Sequence, residues 1–415
     1  MRVLMLSWEY PPVVVGGLGR HVHALATHLS GLGHEVVVLC RQEAGTDALT
    51  HPTSDTVHDG VRVIRVAEDP THLTFEKDLV AWTLAMGHGL IRAGLGLVGS
   101  WRPDVVHAHD WLVTHPAIAL ADFLSVPLVA TIHATEAGRH SGWLSQPLNQ
   151  QIHSVEWWLA NRADALITCS ASMRAEVTHL FEVPDITVIH NGISPRGWRP
   201  SPATVRAART RHSPSDAPVI VYFGRLEWEK GVHDLLAALP RVRRAFPGTR
   251  LVIAGQGRQA TALEEQSRKL RVRRSVDFAG HLPDRALVAL LAAADVVVLP
   301  SRYEPFGIVA LEAAAAGAPL VASTAGGLAE LVVDGVTGLS VTPGDVDGIA
   351  AAIRTVLTDP TSAARRARAA KSRLATEFNW QGIAEQTEAV YRSASVRDRT
   401  ELGRPKIATG NAFTP

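Results

Sequence analysis

Apolar positions along this chain come in two alternating kinds. Short runs rich in Val, Ile, Leu and Ala cover residues 3–7, 35–40, 61–66, 104–108, 127–132, 165–168 and 186–189. Such runs, mostly without a strict polar alternate, read as strands buried on both faces, the signature of a parallel sheet. Between them lie longer stretches with helical spacing, including 18–32, 77–97, 116–124 and 150–161. The alternation predicts βαβ units and a mostly parallel sheet covered on both sides. The rhythm stops over 193–217, where four prolines, many arginines and little periodicity predict a linker. It restarts at 219–223, 250–254, 276–279, 295–299, 319–322 and 338–341. The pattern therefore predicts an α/β protein of two doubly wound domains, 1–192 and 218–377, facing one another across a cleft. A last helix covers 378–396, and the pattern leaves open whether it packs back on the first domain. The polar stretch 397–415 is expected to be disordered.

Length agrees with this division, because 415 residues exceed one ordinary core. Composition is that of a globular protein, 46% hydrophobic and 20% charged. A net charge of +1 gives no broad attraction to nucleic acid. Cys40 and Cys169 each end an apolar run and read as buried thiols. The opening run is broken by Glu9 and Pro11, which suits a first strand better than a leader peptide. No apolar run is long enough for a membrane span, so a cytoplasmic location is expected.

Candidate chemistry sits where strand-like runs end. In 301–317, SRYEPFGIVALEAAAAG, a tight turn at Pro305-Phe306-Gly307-Ile308-Val309 follows a buried strand and feeds an Ala-rich helix. Glu304 falls on the loop and Glu312 on the helix. The free amides of Gly307, Ile308 and Val309 favour an anion. Glu312 lies on an otherwise apolar face, where an unpaired carboxylate is costly, so it calls for a partner such as a ribose diol. In 223–231, FGRLEWEKG, Arg225 and Lys230 share one short loop and together suit two phosphates. An incidental ion pair on a solvated loop is the alternative. Gly16-Gly17-Leu18-Gly19 opens a helix nine residues after the first strand, too far for the dinucleotide fingerprint.

The first domain adds His107-Ala108-His109-Asp110-Trp111 and Thr131-Ile132-His133-Ala134-Thr135-Glu136, each at a strand end. His109 and Asp110 could equally be a helix cap and its neighbour. The nineteen histidines show no close ligand spacing, and Asp345 before an apolar helix reads as an N-cap, so no metal site is expected. Trp111, Trp143, Trp157 and Trp158 lie in or near first-domain loops and could pack on sugars. At least one of Trp157 and Trp158 is expected to be a core residue of its helix.

These motifs resemble those of the retaining GT-B glycosyltransferases, in the family of glycogen synthase-like and phosphatidylinositol mannosyltransferase-like enzymes. Gly224-Arg225-Leu226 with Lys230-Gly231, and Glu304-Pro305-Phe306-Gly307 with Glu312-Ala313, carry the resemblance. Ser7-Trp8-Glu9-Tyr10-Pro11-Pro12 through Gly19 fits the acceptor-side start. Runs 107–112 and 131–139 resemble the actinobacterial α-1,4-glucosyltransferases of glycogen and methylglucose lipopolysaccharide synthesis. The resemblance implies a GT-B fold of two Rossmann-like domains. It implies that Arg225 and Lys230 bind the donor diphosphate and Glu312 the ribose. Glu304 would hold the transferred sugar, helped by amides from Phe306 to Val309. Gly16 and Gly17 would meet the distal phosphate, and His133 the reacting face. By the same resemblance His109, Asp110, Trp111, Glu136 and Arg139 line the acceptor side.

What this implies is a glucosyltransferase, working without a cofactor or metal, on UDP-glucose or ADP-glucose and an α-1,4-glucan. The donor base, acceptor length and oligomeric state stay open. A GDP-mannose-dependent lipid mannosyltransferase and a nucleotide-sugar-binding protein without turnover are the alternatives.

Overall fold

A computed structural model describes residues 1–14, 16–43, 49–67, 72–194, 197–213 and 217–396. The 397–415 stretch, with its expected disorder, lies outside the described residues.

The first sheet contains β1 (Arg2–Leu6), β2 (Glu35–Arg41), β3 (Ser54–His58), β4 (Val61–Val66), β5 (Val105–His109), β6 (Leu128–Ile132), β7 (Ala165–Thr168) and β8 (Ile186–Val188). Its order is β3-β4-β2-β1-β5-β6-β7-β8. All neighbours are parallel except β3 and β4. The second sheet contains β9 (Val219–Phe223), β10 (Arg250–Ala254), β11 (Val276–Gly280), β12 (Val296–Leu299), β13 (Leu320–Ser323) and β14 (Leu339–Val341). It is wholly parallel, in the order β11-β10-β9-β12-β13-β14. Helices cover both faces of each sheet, and β1, β5, β6, β9 and β12 are buried throughout or nearly so. These are two Rossmann-like α/β domains.

Each sheet reverses direction at its first strand. In the first the switch lies between β1 and β5, in the second between β9 and β12. Loops leaving adjacent strands in opposite directions open a crevice at such a point, outside the carboxyl ends. The loops after β1, β5, β9 and β12 are those that carry Gly16, Asp110, Arg225 and Glu304.

The sequence reading needs three corrections here. Strand β3 was not expected: its sequence, SDTVH, is polar and mostly exposed, and it joins the edge only by pairing with β4. The 193–217 stretch contains a helix, Pro202–His212, where a linker without periodicity was expected. Ser201 caps it and Pro202 starts it, while Arg209 bonds Asp295 and His212 bonds Asp277, so polar contacts substitute for an apolar stripe. Trp157 and Trp158 are both exposed. The Pro147–Arg162 helix buries Ile152, Glu156, Leu159 and Ala160, a helical stripe that turns both indoles outward.

The last helix, Trp380–Val396, belongs with the first domain. It packs along the Gly17–Gly31 helix, and fully buried Tyr391 shares a 2.7 Å hydrogen bond with His107 Nδ1. The chain thus crosses between domains twice, and the crossings touch where Ile193 N donates to Phe378 O at 3.0 Å. Cys40 and Cys169 are buried free thiols, and Asp345 caps the Val346–Thr358 helix through Gly348 N. Among the described residues, no helix is long and apolar enough to cross a membrane.

Candidate active site

The second-domain wall is built by two loops locked together. Gly231 ends the turn Trp228–Lys230 with φ +66°, and a Cβ there would strike the Pro300 carbonyl. This close approach joins the loop after β9 to the loop after β12. Lys230 Nζ consequently donates to Glu304 Oε2 at 2.8 Å, and Ser301 Oγ to the same oxygen at 3.2 Å. The Lys230 and Glu304 side chains are only 15% and 10% exposed, so the pair is shielded from water. Arg225 is half exposed and contacts Glu229 at 3.4 Å.

Gly307, with φ +101°, turns the chain from Glu304 into the Ile308–Ala316 helix, and a Cβ there would lie 2.6 Å from Leu328. The amides of Ile308 and Val309 open that helix beside Glu304. Phe306 is buried against the His190 and Phe378 rings, and its backbone lies close against Gly327. Gly327 N donates to Glu304 O at 2.9 Å and fixes the loop from behind. Glu312, one helical turn on, is 7% exposed. Burial pushes its carboxyl up to about 7, against the pull of Arg20, whose guanidinium reaches it at 3.2 Å from the first domain.

The first-domain wall closes on this. Gly17 packs against Ile308, with room for a Cβ only 2.8 Å from its Cδ1. Gly16 N donates to Glu9 Oε2 at 3.1 Å. Asp110, held at φ +62°, accepts from His133 N at 2.7 Å and fixes the His133 loop. Burial raises the Asp110 carboxyl to about 6. Burial also drives His133 down to about 3, which favours its neutral imidazole. Behind it, His109 Nδ1 lies 3.2 Å from His133 Nε2.

His109, Asp110, Trp111 and Glu136 are all buried, and Trp111 belongs to the first-domain core. Of the residues expected on the acceptor side, Arg139 and Trp143 line an open cavity between the domains. His21, His109 and His133 bring one ring nitrogen each within 4.8 Å of one another. Burial keeps all three neutral, as metal ligation requires. No close ligand spacing in the sequence announces this group, because three separate elements supply it.

Several contacts tie the walls together. Ser170 Oγ donates to Pro305 O at 2.6 Å. Glu330 accepts from the Ala171 and Ser172 amides at 3.1 Å each, a carboxylate from one domain at a helix start of the other. Tyr303, next to Glu304, donates to Glu176 at 3.0 Å.

The comparisons with known proteins agree with this fold. Residues 15–196 match the model of Glycosyltransferase Family 4 and residues 206–373 that of Glycosyl transferases group 1. A protein named glycogen synthase, from Mycobacterium tuberculosis, is 59% identical over 414 residues, 98% of each chain. The chain belongs to the GT-B glycosyltransferases. Another relative of this glycosyltransferase, named alpha-maltose-1-phosphate synthase, from Mycolicibacterium smegmatis, is 34% identical over 95% of this chain and all of that one. Among solved structures, sucrose-phosphate synthase from Thermosynechococcus elongatus superposes with a TM-score of 0.81 at 26% identity, over 94% of this chain and 98% of that one.

Sequence reasoning missed three parts of this glycosyltransferase's cleft. Arg20 is one; its position on the helix after Gly16-Gly17 was the available signal. Gly326-Gly327 is another, a glycine pair at a strand end. Tyr303 is the third, and only its place beside Glu304 marks it.

Proposed function

We propose that this enzyme transfers glucose, with retention, from a nucleoside diphosphate glucose to the 4-hydroxyl of an α-1,4-glucan. The observation that carries the reading is the shielded Lys230–Glu304 pair beside the helix start at Ile308. A cation next to free amides suits a leaving diphosphate, and a carboxylate on the same lysine suits sugar hydroxyls. Likeness over 98% of the chain to a protein named glycogen synthase supports the choice of glucose and glucan. UDP-glucose and ADP-glucose are the two donors that suit this reading. A methylglucose lipopolysaccharide precursor as acceptor, and a cytoplasmic location, belong to the same reading.

In the mechanism, Arg225, Lys230 and the helix-start amides stabilise the diphosphate most as its charge grows. Glu304 and neutral His133 orient the glucosyl hydroxyls. Glu304 is paired with Lys230 and Ser301, which suits holding hydroxyls better than attacking carbon. The departing phosphate takes the acceptor's proton from the same face of the ring. Closure of the two walls on bound substrates would keep water out.

Glu312 makes this reading sensitive to pH. A ribose diol donates to the carboxylate form, so donor affinity is expected to be full above about pH 7 and to fall about tenfold per unit below it. Calorimetry of donor binding across this range checks it. Glu312→Gln is expected to bind weakly at every pH, and an unchanged slope in that variant would remove Glu312 from the ribose.

A second reading is favoured by the relative named alpha-maltose-1-phosphate synthase: transfer to a glucose phosphate. Product analysis separates the readings. The enzyme is incubated with UDP-glucose, ADP-glucose or GDP-mannose, and with maltooligosaccharides, glucose 1-phosphate or a lipid acceptor. A ladder of longer α-1,4-glucans from a glucose donor is the expected product. Transfer only from GDP-mannose to lipid would sink the glucan reading.

A further inference from the structure

An open cavity of about 580 Å³ lies between the domains beside the reacting pair. Arg139, His140 and Trp143 line it from the first domain, and Trp228, Glu229 and Arg258 from the second. Trp143 is 76% exposed and Trp228 49% exposed. Single exposed indoles are ordinary, but two from different domains lining one cavity offer apolar surface to a common ligand. Charged groups surround them. This is the combination that a pyranose ring fits: indole faces receive its C–H face, while guanidinium and carboxylate groups take its hydroxyl rim.

The platform is held in place before any ligand arrives. The Arg302 guanidinium lies 5.2 Å from the Trp228 ring centroid, and Asp234 grips Arg302 through two bonds of 2.8 and 2.9 Å. His233 stacks on the same indole at 5.9 Å. An aromatic face fixed in advance loses little entropy on binding. The cavity also leads to the reacting groups. Trp228 and Glu229 share the turn that ends in Lys230, and the Glu229 carbonyl accepts from Arg302 N at 2.7 Å and Tyr303 N at 3.2 Å, next to Glu304. Arg139 ends the short helix that follows His133. A chain lying in the cavity therefore has a short route for its end to the Lys230–Glu304 pair.

We propose that this cavity is the acceptor site, and that Trp143 and Trp228 hold glucose units of the growing chain from opposite domains. The proposal rests on the glucan reading above. It replaces the buried Trp111 with two indoles that have surface to offer.

The experiment compares the full-length enzyme with Trp143→Ala, Trp228→Ala and Trp228→Phe. Acceptor KM is measured with maltooligosaccharides, donor Kd by calorimetry, and tryptophan fluorescence during maltooligosaccharide titration. Each alanine variant is expected to raise acceptor KM on the order of tenfold, with donor Kd unchanged. Trp228→Phe keeps a ring over Arg302 and is expected to recover most of the loss. The fluorescence change on adding acceptor is expected to shrink in both alanine variants. Glucan extension by the natural enzyme, with acceptor KM unaltered in both, would overturn the platform and leave the glucan reading standing. Absence of glucan extension in the natural enzyme would instead remove that reading, and the proposal with it.

Discussion

Replacing Lys230 with alanine is expected to lower kcat/KM about a thousandfold, mostly in kcat. The reason lies in where the ammonium sits. It is nearly buried, 2.8 Å from Glu304, and beside the amides that open the Ile308–Ala316 helix. A shielded charge acts on a leaving diphosphate in a lower effective dielectric than water, and needs no reorganisation as the bond breaks. Removal also leaves Glu304 without its cation, and breaking such a pair costs about 3–5 kcal/mol when both groups are sealed from water. Glu304 borders the cleft, so water can re-enter and the folding cost is expected to be smaller. Steady-state kinetics with a glucose donor, alongside a melting curve, separates the two effects. A loss under about tenfold with an unchanged melting curve would show that Lys230 does not serve the diphosphate.

Glu304→Gln is expected to cost about a hundredfold in kcat with little change in donor KM. The substitution keeps the shape and the contact with Ser301 but removes the charge facing Lys230. An amide oxygen accepts a weaker bond from a sugar hydroxyl than a carboxylate does. Lys230 would then sit unneutralised near the phosphate, which holds the ground state well and releases it slowly. Because the two side chains work as a unit, Lys230→Ala combined with Glu304→Gln is expected to be no slower than Lys230→Ala alone. Strictly additive losses in that double variant would mean that the residues act separately.

The Ile308–Ala316 helix shows how far local sequence reaches. Its glycine at Gly307, buried alanines and following Gly317 specify a tight entry, a packed helix and an exit within one short stretch. The same is true of Gly231 and of the buried strands, whose Val-, Ile- and Leu-rich runs need no distant partner to be recognised. Motifs at strand ends were legible because a doubly wound sheet sends all its carboxyl ends to one edge. The polar β3 and the Pro202–His212 helix were not, since an edge pairing and ion pairs hold them.

Sequence by itself thus determined the two α/β domains and placed Arg225, Lys230, Glu304 and Glu312 on the loops and helix that follow β9 and β12. Tertiary structure alone decided who faces whom. Arg20 meets Glu312 across 292 residues of chain, and Tyr391 meets His107 across 284. Folding also hid Trp111 and brought Trp143 and Trp228 to one cavity. The physical reason is range: strand and helix periods arise from near neighbours, whereas pairing, burial and charge shifts depend on which surfaces close on each other.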